Sequence, residues 1–222
     1  NKQAGSPVSE ADLEIDAYLR TTLIAARPAY GWLSEESRDD KTRLLRKLSF
    51  IVDPIDGTIA FLKHRPHFTI CAAVVRDGKS VAGVVYNPVL DDLYKASTGG
   101  GAWRNGDGVH VSDRNSLMGC AMLGDHSTLT SPPWPPMKVE TRNSVAYRVA
   151  LVADGSFDAT ISLSGKRDWD LAAAEIIVRE AGGRITDPLG APLIFNTPEA
   201  HQPGLIAAGP RLHTQILAHL RQ

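Results

Sequence analysis

The run Ile51-Val52-Asp53-Pro54-Ile55-Asp56-Gly57-Thr58 constrains this chain more than any other stretch. Its apolar lead, Leu48, Phe50, Ile51 and Val52, has the character of a buried strand and stops at two carboxylates three positions apart. Pro54 fixes its own φ, lacks an N–H and biases Asp53 towards an extended conformation. Gly57 lets the backbone turn sharply or approach a ligand closely. Two hard oxygen donors at a strand end, beside open backbone N–H groups, suit a divalent cation together with an anion. Asp-Pro and Asp-Gly are also common turn dipeptides, so a surface turn is the competing reading.

The rest of the chain reads as alternating helix and sheet blocks. Ser9 to about Arg27 carries Ala11, Ile15, Leu19, Leu23 and Ala26 at helical spacing, with Ser9 and Asp12 forming a variant capping box and Pro28 as the stop. Strands are expected over 48–53, 68–76, 79–86 and 92–97, with a hairpin at Asp77-Gly78 and a short helix from about Thr58. Asn105-Gly106 marks a second hairpin, returning through Val109, His110 and Val111. Ser131 to Pro136 is a proline-rich break. Beyond it come a helix over Arg142–Ala153, a strand over Ala159–Ser162, a helix over Asp168–Ala181 closed by Gly182-Gly183, strands at Arg184–Thr186 and Gly204–Ala208, and a last helix from Pro210. This pattern predicts α/β layers. The division expected is 1–115, rich in antiparallel sheet, and 116–222, mixed, the two forming one unit.

Composition excludes several functions. A formal net charge of −1 argues against nucleic-acid binding by bulk charge. No apolar run approaches the ~20 residues of a membrane span. Cys71 and Cys120 lie in apolar surroundings without a Cys/His cluster, so zinc is not expected, and reduced thiols suit a cytoplasmic protein. A disulfide between them stays open at this point. Asn1, Lys2 and Gln3 are polar, unlike a secretion signal. No Walker loop is present, which argues against nucleoside triphosphate hydrolysis.

The octet resembles the first signature of the inositol monophosphatase family. Trp169-Asp170-Leu171-Ala172-Ala173-Ala174, ending in Glu180-Ala181-Gly182-Gly183, resembles the second, and Leu33-Ser34-Glu35-Glu36-Ser37 a weaker third element. The resemblance runs from Ser6 to the C-terminus. It implies an αβαβα five-layered sandwich, usually a homodimer, acting as a Mg²⁺-dependent, lithium-sensitive phosphomonoesterase on inositol phosphates, 3′(2′),5′-bisphosphorylated nucleotides or sugar phosphates. It also implies a further helix upstream of Ser6. By the resemblance, Glu35, Asp53 and the carbonyl of Ile55 hold a first metal, and Asp53 bridges to a second held with Asp56 and Asp170. Gly57 and Thr58 would receive the phosphate on their N–H groups. Asp12, in the context Ser6-Pro7-Val8-Ser9-Glu10-Ala11-Asp12, would pair with Thr58 to orient and deprotonate the attacking water, with Glu35 close by. Some bacterial members associate with the transcription machinery, so a regulatory binding role is the reading from another class.

Each of these residues has a plainer alternative. Glu35 and Glu36 could belong to a solvated acidic loop, Asp170 could serve the dipole of its helix, and Asp12 could be only a cap. Trp169 reads as a packing residue. The first signature continues here as Ile59-Ala60-Phe61, where the family usually has Thr-Asn-Phe. Leu163 stands about where animal inositol monophosphatases place an acid that binds inositol hydroxyls. Lys166 and Arg167, with Lys63, His64 and Arg65, would then suit a substrate with a second phosphate, such as adenosine 3′,5′-bisphosphate. Ordinary solvated surface is the alternative for each.

Overall fold

Ser9 opens the first helix, α1 (Glu10–Ala26), with the expected capping box. Its N–H and hydroxyl donate to the Asp12 carboxylate at 2.9 and 2.5 Å, and the Asp12 N–H donates back to Ser9 Oγ at 3.3 Å. The structure, a computed structural model, describes residues 9–221. The readings placed on Asn1, Lys2, Gln3, Ser6, Pro7 and Val8 lie outside the described residues.

After α1 come β1 (Gly31–Ser34), a single 3₁₀ turn over Thr42–Leu45, β2 (Leu48–Asp56), α2 (Thr58–Leu62), β3 (Thr69–Arg76), β4 (Lys79–Asn87), β5 (Asp92–Ser97), β6 (Ala102–Arg104) and β7 (Asp107–Gly108). The chain continues through β8 (Ala121–Leu123), α3 (His126–Leu129), β9 (Lys138–Glu140), α4 (Val145–Ala153), β10 (Ala159–Ser162), β11 (Lys166–Arg167) and α5 (Asp168–Glu180). It closes with β12 (Arg184–Thr186), β13 (His201–Gln202), β14 (Leu205–Ala208) and α6 (Pro210–Leu220).

Strands β1 to β7 form one seven-stranded sheet in sequence order, with β1 parallel to β2 and every later pair antiparallel. A five-stranded mixed sheet has the order β12-β14-β10-β8-β9, and β11 pairs with β13 as a separate ribbon. Helices α4 and α5 pack on each other between the two sheets. α1 lies on the outer side of the larger sheet against β1 and β2, and α6 on the outer side of the smaller one. The layers therefore run αβαβα, as the resemblance implies.

One core joins the larger sheet to the central helices: Ile51, Ala73, Val85 and Tyr94 meet Val149, Leu171, Ile176 and Ile177. Leu212 and Ile216 of α6 close a second core over Met122, Ile161 and Ile206. Gly83 marks the closest approach of helix to sheet, since a Cβ there would stand 2.5 Å from the Ala173 carbonyl oxygen on α5.

Several local expectations are corrected. The Ser34 segment is no solvated loop: Leu33 and Ser34 are buried and end the parallel strand β1. Its four residues carried too little periodicity to announce a strand. The second hairpin returns only through Asp107 and Gly108, because Val111 leaves the sheet to donate its N–H to the Ala181 carbonyl at 3.1 Å. α4 begins at Val145, where Ser144 caps it, and not at Arg142. On α1 the fully buried side chains are Asp12 and Asp16, one turn apart, while Ile15, Leu19 and Leu23 are only half-buried. Cys71 and Cys120 are buried free thiols in different cores, which removes the disulfide reading. Trp169 packs against the central core, and among the described residues no helix is long and apolar enough to cross a membrane.

Candidate active site

In a regular strand, side chains three positions apart face opposite ways. Asp53 and Asp56 escape this because β2 is bulged between them. Asp53 pairs with Cys71 and Asp56 with Thr69, so three steps on β2 (56 − 53) match two on β3 (71 − 69). The extra residue brings both carboxylates to one face. Pro54 fits inside the bulge, where its missing N–H breaks no regular ladder bond.

Parallel pairing adds the third acid. Ser34 stands opposite Val52, and the Glu35 N–H donates to the Val52 carbonyl at 3.4 Å, so Glu35 leaves β1 beside Asp53. Asp16 on α1 secures this exit: Ser34 Oγ and Ser37 Oγ both donate to its carboxylate, the latter at 2.6 Å. Asp170 comes from the first turn of α5, where one of its oxygens accepts the Arg167 N–H at 2.8 Å. Carboxylate oxygens of Asp53, Asp56 and Asp170 lie within 4.8 Å of one another. A cavity of about 170 Å³ is lined by Glu35, Asp53, Ile55, Asp56, Gly57, Thr58, Ile59, Asn143 and Asp170. The four acids separated in sequence thus share one pocket.

The surroundings orient these groups. α4 points its N-terminus at Asp56, whose Oδ2 accepts from Ser144 Oγ and from the Ala146 N–H, both at 2.6 Å. Gly57 bends the chain into α2 with φ of 95°, and a Cβ there would stand 3.1 Å from both His67 O and Ser144 N. Thr58 Oγ1 donates to the Ile55 carbonyl at 3.2 Å. α1 and α2 meet around Ile55 and Phe68 through Ala11, Ile15 and Phe61, which brings the buried Asp12 towards the acids.

The electrostatics call for a cation. Burial first, then the charges of Asp56, Glu35, Asp170 and Asp12, push the Asp53 carboxyl well above its usual range. Asp53 Oδ1 is buried with no hydrogen-bond partner. Burial also raises Asp56, against the lowering effect of Ser144 and Ala146, and burial followed by repulsion from Asp56 pushes Asp170 up to about 7. Three converging carboxylates, one with an orphaned oxygen, form a donor set suited to hard divalent ions. Glu35, Asp53, Asp56, Asp170 and the Ile55 carbonyl would hold them.

A second, larger cavity of about 560 Å³ adjoins the acidic pocket at Asn143. Arg142, Arg148, Ser162, Leu163, Ser164 and Lys166 contribute to its wall. Lys166 was expected at the substrate rim and lines this cavity. Arg167, expected beside it, does not: it donates to the Glu199 carbonyl at 3.2 Å and stands over the Trp169 ring at 5.8 Å. Lys63, His64 and Arg65 line neither cavity. Sequence reasoning missed Asp16, Asn143, Ser144 and Arg148. Asp16 had a signal in its spacing of four from Asp12 on one helix face, and Ser144 in its N-cap character.

The family model described as the inositol monophosphatase family matches residues 1–222. An inositol-1-monophosphatase of Mesorhizobium japonicum is 36% identical over 203 residues, 84% of this chain and 74% of the relative. A 3′(2′),5′-bisphosphate nucleotidase CysQ of Aggregatibacter actinomycetemcomitans is 31% identical over 211 residues, 90% of this chain and 78% of the relative. The solved extragenic suppressor protein suhB of Bartonella henselae superimposes with a TM-score of 0.84 at 31% identity, over 100% of this chain and 87% of that one.

Proposed function

Because the chain belongs to the inositol monophosphatase family, we propose that it is a Mg²⁺-dependent phosphomonoesterase acting on a small phosphorylated polyol, inositol monophosphate or a related sugar phosphate. The observation that carries this is the convergence of Asp53, Asp56 and Asp170 to within 4.8 Å in a pocket they share with Glu35. When bound, Mg²⁺ supplies positive charge to the phosphate oxygens and acidifies the attacking water.

The chain's own groups supply the rest. The N–H groups of Gly57 and Thr58, at the start of α2, bind the phosphate oxygens. Asp12 takes the proton of the attacking water, and Thr58 Oγ1 fixes that water's position. Ser144 and the Ala146 N–H hold Asp56 in one orientation, so the carboxylate need not reorganise as substrate binds. Asn143 stands where the pocket opens into the larger cavity, which has room for the alcohol part of the ester.

The test is phosphate release from inositol 1-phosphate and from glycerol 2-phosphate, with Mg²⁺ and with a chelator. Release that requires Mg²⁺ and falls on addition of Li⁺ is the expected result. Equal background release in both conditions from every ester would reject the reading.

A further inference from the structure

Arg148 lies four residues beyond Ser144 on α4, so the helix face that grips Asp56 also presents a guanidinium to the larger cavity. Arg148 Nε is buried without a hydrogen-bond partner. Among the described residues Arg148 forms no ion pair. Lys166 lines the same cavity, and its Nζ reaches only neutral oxygens: Ser164 Oγ at 2.8 Å, the Gly165 carbonyl at 3.2 Å and the Ser164 carbonyl at 3.3 Å. The other charged groups on the wall are already engaged. Arg142 pairs with Glu140 at 2.7 Å, and the Asp125 carboxylate accepts from Ser127 Oγ at 2.6 Å and the Thr128 N–H at 2.8 Å.

Asp56 and Asp170 attract both free cations from beyond ion-pair distance. Divalent ions bound by those carboxylates would cancel that attraction. The loaded site then has two partly buried cations facing a cavity with no counter-charge, an arrangement that favours an incoming anion. Leu163, 47% exposed, lies on the same wall and offers no acceptor for a sugar hydroxyl.

We propose that Arg148 and Lys166 anchor a second anionic group of the substrate, so that the enzyme selects phosphate monoesters carrying another phosphate or a carboxylate on the order of one helical turn, ~6 Å, from the hydrolysed phosphate. This rests on the phosphatase reading above and names its substrate class. The larger cavity, about 560 Å³, has room for a sugar or nucleoside body between the two anions.

Four compounds test it: adenosine 3′,5′-bisphosphate against adenosine 2′-monophosphate, and 3-phosphoglycerate against glycerol 3-phosphate. The wild-type protein is expected to prefer the dianionic member of at least one pair, and the pair that responds tells phosphate from carboxylate. Arg148→Met should lower that preference, read as the ratio of kcat/KM within the pair, by about 100-fold, with Lys166→Gln giving roughly 10-fold. Arg148→Lys should restore most of the ratio. Calorimetric titration of the same compounds with Ca²⁺ replacing Mg²⁺ reads the binding ratio apart from turnover. No preference in the wild type, or a ratio unmoved by Arg148→Met in a folded variant, would overturn the anchor. Absence of turnover on every compound would instead reject the phosphatase reading, and the binding ratio would still decide the anchor.

Discussion

Ser144 Oγ donates to Asp56 Oδ2 at 2.6 Å across 88 positions of sequence, and the same oxygen accepts the Ala146 N–H. A helix N-terminus in the second half of the chain thus fixes a carboxylate delivered by a bulged strand in the first. The bond is strong because the acceptor is charged and the donors are buried.

Asp56→Asn keeps an oxygen for both donors but removes the charge. Turnover should fall on the order of 10³-fold. The far-ultraviolet circular dichroism should match the wild type, and thermal stability in a chelator should not decrease, since one repelling charge leaves a crowded pocket. Retained activity in this variant would contradict the proposed metal site.

Stability should depend on pH and on divalent ions together. The Asp170 carboxyl ordinarily titrates near 3.8 but stands at about 7 in the folded protein without metal. Between those values the folded state holds a proton that the unfolded chain has released, so stability falls as pH rises through this window. Mg²⁺ binds the deprotonated form and should raise Tm most at the upper end, on the order of 5 °C. Melting curves from pH 4.5 to 7.5, in chelator and in Mg²⁺, read this directly. A chelated protein that grows more stable with pH over that range would show that the acids are not crowded as described.

Asp16 supports Glu35 without lining its pocket. Asp16→Ala removes the acceptor for Ser34 and Ser37, and should cost about 1–3 kcal/mol in chemical denaturation. The Mg²⁺ concentration for half-maximal activity should rise by roughly 10-fold or more, because the chain leaving β1 loses its tether. Stability lost with no change in Mg²⁺ requirement would assign Asp16 a purely structural role.

Gly57→Ala places a methyl group at φ of 95° with backbone atoms of His67 and Ser144 at 3.1 Å. The expected cost exceeds about 1 kcal/mol, and activity should fall further than stability because Ser144 must shift away from Asp56. A denaturation midpoint equal to wild type would mean that the turn relaxes freely.

Much of this molecule was legible before any coordinates. The capping box of Ser9 and Asp12, the Asp77-Gly78 hairpin, the strand before Asp53 and the helix after Arg167 all rest on local stereochemistry, which a few neighbouring residues determine. The two signature motifs named the four acids because their chemistry is written in residue type and order. What the tertiary structure alone decided was their relation. The bulge that turns Asp53 and Asp56 to one face, the parallel pairing that sets Glu35 beside Asp53, and the helix start that grips Asp56 are matters of strand register and distant packing. The same is true of Arg148, an unremarkable position in a helical pattern until α4 is laid between the sheets and its guanidinium meets the cavity wall. Local sequence carries no record of which distant surface a side chain will face, because that follows from how whole layers bury their apolar sides together.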